Sequence, residues 1–170
     1  FMYTRETHVA LAEYWRWWVV HLWVEGFFEV FATVAIALLS TRMGLLKEGT
    51  ALRAVSLSMG LFLGSGVIGT FHHLYYTGSP AFVSALGSVF SALEIVPLTI
   101  VGFEIAQSLR AGRAVGSGYE WPFRFFAAVC FWNLLGAGVF GMLINPPSIL
   151  YFGQGLNTTP IHSHAALFGV

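Results

Sequence analysis

Four apolar stretches, residues 15–39, 54–76, 82–106 and 123–144, dominate this chain. Each is long enough to cross a hydrocarbon core of roughly 30 Å at about 1.5 Å of helix rise per residue. A fifth begins at residue 158 and runs to residue 170. Soluble domains carry roughly 25% charged residues, whereas here 9% are charged and 56% hydrophobic. So few charges cannot cover a surface facing water, so lipid is the solvent. The expected fold is all-α: a single polytopic transmembrane helix bundle over residues 1–170, with four full spans and a truncated fifth. Phe1 opens the chain and Val170 closes it within an apolar run shorter than a span. That pattern reads as an internal piece of a longer protein, with no secretory signal. The net charge of +0 gives no support to a nucleic-acid partner. Cys130 stands alone in an apolar run, which excludes a disulfide framework and a thiolate cluster and marks a small packing residue.

The loops between the spans divide by charge. Residues 41–53 hold Arg42, Lys47 and Arg53, and residues 109–121 hold Arg110 and Arg113, while 74–81 and 145–160 hold neither lysine nor arginine. The positive-inside rule places the first pair of loops in the cytoplasm and the second pair outside. Aromatic residues at the span ends (Trp15, Trp17, Trp18, Tyr75, Tyr76, Trp121) fit the membrane interface. The expected place is the bacterial cytoplasmic membrane, crossed several times.

On that topology the histidines converge. His21 lies about two turns inside the first span, His72 and His73 in the last turn of the second, and His162 and His164 in the first turns of the fifth. All of these fall in the outer half of the membrane. One histidine at such a depth reads equally as a carbonyl-bonded or headgroup-level side chain and as a functional one, but this set at one depth reads as metal-binding. His8 precedes the first span and reads as a solvated polar residue.

Spacing assigns tasks. His21 and Glu25 are four residues apart and share a helix face, which suits a common metal ion; Glu29 continues that face a turn further. Adjacent side chains such as His72 and His73 diverge by roughly 100° on a regular helix, so both reach one metal only where the helix ends or loosens. Gly78 and Pro80 follow shortly, consistent with such an end. Three imidazoles and one carboxylate suit a redox-active iron. His162 and His164, two residues apart, point to opposite sides of a helix and suit two cofactors, with axial ligation of two haems the obvious use. Glu94 sits mid-span beside Pro97, which can kink the helix, and reads either as a proton-relay group or as a buried acid bonded to a neighbouring helix. The glycine runs around Gly60–Gly69 and Gly136–Gly141 read as close helix contacts, and the Asn157-Thr158-Thr159 sequon as a chance match.

This pattern resembles the catalytic subunit of the haem-copper oxidase superfamily: a histidine on one helix, a His-His pair ending the next, and His-x-His on a later one. Oxygen-reducing members usually carry tyrosine four residues after the first histidine, where this chain has Glu25. That departure resembles the nitric oxide reductases, whose second metal is a non-haem iron. The wording His-Leu-Trp-Val-Glu-Gly from His21, Gly-Thr-Phe-His-His-Leu-Tyr-Tyr-Thr-Gly from Gly69, Leu-Gly-Ser-Val-Phe-Ser-Ala-Leu-Glu from Leu86, and Gly-Leu-Asn-Thr-Thr-Pro-Ile-His-Ser-His from Gly155 is close to the quinol-dependent branch. The resemblance implies His21, His72, His73 and Glu25 around the non-haem iron, His162 on a high-spin haem b and His164 on a low-spin haem b. It implies proton delivery by Glu94 and, more weakly, Glu29.

The expected activity is that of an oxidoreductase, coupling two nitric oxide molecules to nitrous oxide and water with electrons from quinol, cytochrome c being the alternative donor. The lipid bilayer and further helices of the same subunit are the expected partners. The second axial ligand of the low-spin haem and the quinol site are expected outside these residues. The rival readings are an oxygen-reducing terminal oxidase subunit and a non-catalytic haem-binding membrane subunit.

Overall fold

The computed structural model describes residues 2–111 and 120–168 and, within them, all side chains but those of residues 24, 25, 65 and 166–168. Helices α1 (Val9–His21) and α2 (Val30–Arg42) are joined without a break by a π-helical segment, Leu22–Glu29. His8 starts α1, its Nδ1 accepting the Ala10 amide at 3.2 Å. A turn through Gly44, at φ +72°, leads to buried Leu45 and Leu46 and then to α3 (Glu48–Gly69). The first turn of a helix has amides with no intrahelical acceptor. Just ahead of α3, the Lys47 amide donates to the Glu104 carboxylate at 2.7 Å, so an acid on a later helix anchors this start.

Helix α3 bends by 52° between Gly64 and Gly66 and tightens into a 3-10 turn, Thr70–His73. Thr70 Oγ1 donates to the Gly66 carbonyl at 2.6 Å along the way. Helices α4 (Ala81–Ala92) and α5 (Ile95–Arg110) form one long rod with a break at Leu93 and Glu94. Pro97 is the cause: it has no amide for the Leu93 carbonyl, and its ring crowds that oxygen. The Leu93 carbonyl instead takes the Val96 amide at 3.0 Å. The loosening expected near Glu94 from Pro97 is present, and Glu94 lies at the break.

Helix α6 (Glu120–Trp132) passes through a second π-helical segment, Asn133–Phe140, into α7 (Gly141–Ile144); short α8 (Pro147–Gly153) and then α9 (Thr158–Phe168) follow. Val9–Arg42, Ala81–Arg110 and Glu120–Ile144 are long and apolar enough to cross a membrane, and the bent rod Glu48–Gly64 with Gly66–His73 is a fourth of that kind. Among the described residues there is no strand, so the fold is an all-α transmembrane bundle.

One core cluster joins α2, α3 and α5 through Ile36, Ala37, Leu46, Ala54 and Val101, with Phe126, Val129 and Cys130 packed against it. Ala37 and Ala54 are almost fully enclosed, and such small residues let helix backbones approach closely. The outer faces invert the habit of soluble proteins: Leu63 is 80% exposed, and Phe27, Phe103 and Phe125 also stand out. These are faces made for lipid or for further helices.

Candidate metal centre

The convergence expected of the histidines is present for the first three. One ligand nitrogen from each of His21, His72 and His73 lies within 4.8 Å of the others. His21 comes from the end of α1, and the other two come from the 3-10 turn. That tighter turn is how adjacent imidazoles meet: their ring centres are 4.0 Å apart and their Nε2 atoms 2.8 Å apart. The ring of His21 stands edge-on to both, at 5.3 Å from His72 and 5.5 Å from His73.

Close packing holds the turn in place. A Cβ added to Gly87 on α4 would fall 2.3 Å from the His72 amide nitrogen, so only glycine lets α4 approach the turn this closely. His73 is overlaid by Trp17, the two rings stacked at 4.1 Å with 7° between their planes. Gln154 Nε2 reaches the His73 carbonyl at 3.4 Å, while its Oε1 is enclosed.

The same histidines border a cavity of about 530 Å³ that His162 lines as well. His162 must carry its proton on Nδ1, because that nitrogen lies 2.6 Å from the Gly136 carbonyl oxygen, which can only accept. Its Nε2 then keeps a lone pair for a ligand. Gly136 belongs to the second π-helical segment, whose altered hydrogen bonding accompanies this carbonyl's use by α9. A Cβ at Gly141 would meet the His162 ring at 2.8 Å, so this approach too needs glycine. His164 is exposed and donates its Nδ1 proton to the Pro160 carbonyl of its own helix at 2.7 Å, which likewise leaves Nε2 for a ligand.

The acids fare differently. Glu94 is 7% exposed and lines the cavity, as does Glu29. Near Glu94, Asn145 Nδ2 donates to Ser91 Oγ at 3.0 Å, a buried pair also on the cavity wall. Glu25 lies in the π-helical segment after His21, and its side chain is outside the described residues. The expected α-helical register of Glu29 against His21 gives way to the wider π turn, which changes the angle at which Glu29 leaves the helix.

A family model described as Cytochrome C and Quinol oxidase polypeptide I matches residues 1–170. The chain belongs to this family. Among curated proteins, a nitric oxide reductase subunit of Stutzerimonas stutzeri is 31% identical over 164 residues, which cover 92% of this chain and 32% of that relative. The chain thus spans about a third of the length of the relative it matches. Members of this haem-copper family bind haems and a further metal, and the donors here fit such groups. The trio of imidazoles offers nitrogen ligands to a divalent metal. His162 offers an oriented Nε2 to a haem, beside a wall that Gly141 keeps open.

Sequence reasoning missed Trp17, Gln154 and the Ser91–Asn145 pair. Trp17 carried a usable signal: it precedes His21 by four residues and so shares its helix face. The other two come from segments whose approach to the cavity only the tertiary fold fixes.

Proposed function

We propose that this chain carries the binuclear centre of a respiratory, denitrifying nitric oxide reductase in the bacterial cytoplasmic membrane. The observation that carries the reading is the His21, His72 and His73 trio bordering one cavity with His162. These three, with Glu25, would hold a non-haem iron; His162 would hold a high-spin haem b and His164 one side of a low-spin haem b. Bound there, the irons supply electrons and Lewis acidity for coupling two nitric oxide molecules, with two electrons and two protons, to nitrous oxide and water.

The protein's own part is positioning and proton supply. The imidazoles are held by the 3-10 turn, by Trp17 and by the Gly136 carbonyl, which favours one binding geometry. Glu94 and Glu29 open into the cavity and can pass protons inward, and Glu25 sits between His21 and Glu29 along the chain. The mostly apolar cavity walls admit a small uncharged gas. A carboxylate in place of the tyrosine common to oxygen reducers favours nitric oxide over oxygen as substrate. Quinol is the proposed donor, on the local wording of the sequence, with cytochrome c as the competing outcome.

The test is the intact protein with its complete set of helices. Metal analysis is expected to show non-haem iron beyond the haem iron, and the protein should consume nitric oxide with quinol. One equivalent of copper with rapid oxygen uptake would overturn the proposal.

A further inference from the structure

We infer that Trp17 is a positioning residue for the metal centre, setting the rotation of His73 while itself held by a surface ion pair. This rests on reading the histidine trio as a metal site. The Trp17 ring lies 4.1 Å from that of His73 and within 7° of parallel. Its indole Nε1 donates to Glu13 Oε2 at 3.1 Å. The same oxygen accepts Arg16 Nε at 3.1 Å and also pairs with Arg16 Nη2. The Arg16 guanidinium carbon is 4.9 Å from the centre of the Trp17 ring.

Glu13, Trp17 and His21 are spaced four apart on α1, so the clamp and one of the three ligands share a helix face. An imidazole on a chain end turns easily, because its second torsion has a broad, roughly two-fold profile. Each ring rotation moves Nε2 relative to the other donors. A flat indole on its face restrains that rotation, whereas an aliphatic side chain of similar bulk fills space without fixing a plane. The indole is in turn fixed by a charged acceptor at its N–H, a stronger bond than a neutral one. Groups that orient a metal ligand from behind typically change metal affinity by about 10–100-fold.

The experiment compares the full-length holoprotein with Trp17→Phe, Trp17→Leu, Glu13→Gln and Glu13→Ala. Haem content serves as the control for folding. The readouts are the rate at which a chelator removes the non-haem metal and the electron paramagnetic resonance spectrum of that metal. Trp17→Leu is expected to lose metal about tenfold faster or more and to broaden the spectrum. Trp17→Phe keeps a flat face but gives up the N–H that Glu13 holds, so it should lose metal faster than the parent, at about the rate of Glu13→Ala, and more slowly than Trp17→Leu. Glu13→Ala should speed the loss, and Glu13→Gln, whose amide oxygen still accepts, should restore most of it.

Trp17→Leu with parental metal retention and spectrum would overturn the inference, as would Phe and Leu behaving alike. If Trp17→Leu also sheds haem, the Glu13 pair decides: parental retention in Glu13→Ala overturns the clamp. A parent protein with haem but no further metal would overturn the metal-centre reading itself, and the clamp with it; that outcome is distinct because it appears before any substitution.

Discussion

Glu25 is the residue on which the substrate assignment turns. Glu25→Gln keeps the shape of the side chain but removes its negative charge and its capacity to carry a proton, while the two histidines proposed to hold haem stay intact. Haem content should therefore survive, and nitric oxide turnover should fall at least tenfold, about 1.4 kcal/mol of barrier; iron content measured in the same sample separates lost metal from lost proton transfer. The two α9 histidines should part company in a different way. Both border the cavity, but His162 is held by the Gly136 carbonyl of another segment, whereas His164 is exposed and bonds within its own helix. His164→Ala should remove the low-spin haem spectrum and spare the high-spin one, and His162→Ala the reverse; loss of both haems from either folded variant would contradict separate ligation. Histidines and acids were legible in the sequence because ionisable groups inside apolar runs are costly and conspicuous. Trp17 was not, since a tryptophan near a span end reads equally well as an interface anchor. Its stack on His73 depends on where a distant turn arrives.

At the scale of elements, the departures from ideal helix gather around the cavity. The 3-10 turn brings adjacent imidazoles together, the Pro97 break presents Glu94, and the second π-helical segment contains the carbonyl that orients His162. The need for a loosened helix at His72 and His73 followed from angular arithmetic. The π-helical segments did not, because an added residue per turn leaves no mark on apolar periodicity. Gly87 gives a direct test of the element contact. With its Cβ set 2.3 Å from the His72 amide, Gly87→Ala must push α4 and the turn apart. Overpacking of this kind costs about 1–3 kcal/mol. Gly87→Ala should lower non-haem metal occupancy several-fold with haem retained, measured by metal analysis against haem absorbance. Unchanged occupancy would mean that the turn yields without disturbing its donors.

For the whole molecule, an all-α membrane bundle was readable from the apolar stretches, because lipid imposes span length so strictly. Which rod touches which was not, since lipid-facing and helix-facing surfaces are alike apolar; small residues such as Ala37 and Ala54 mark the contacts only after the fact. If the loops with arginine and lysine face the cytoplasm, cysteines placed at the exposed Pro80 and Gly49 should react with an impermeant thiol reagent from opposite sides of the membrane. Labelling of both from one side would invert or break the topology. The π-helical segments have a consequence for the entire bundle. Each closes its hydrogen bonds over one residue more than an α-helix does, so the chain holds a surplus residue in each of two long rods. Deleting Gly26 would let the first rod close as plain α-helix with His21 and the core contacts of Ile36 and Ala37 still nearly in phase, because a π turn with its surplus residue covers about the same rotation as an α turn. Only the residues between His21 and α2 would change direction, Glu29 among them. Such a shortened chain should still insert in the membrane, bury its core and retain haem, so any loss of metal or turnover from it would be traced to the segment Leu22–Glu29 and not to the rods on either side.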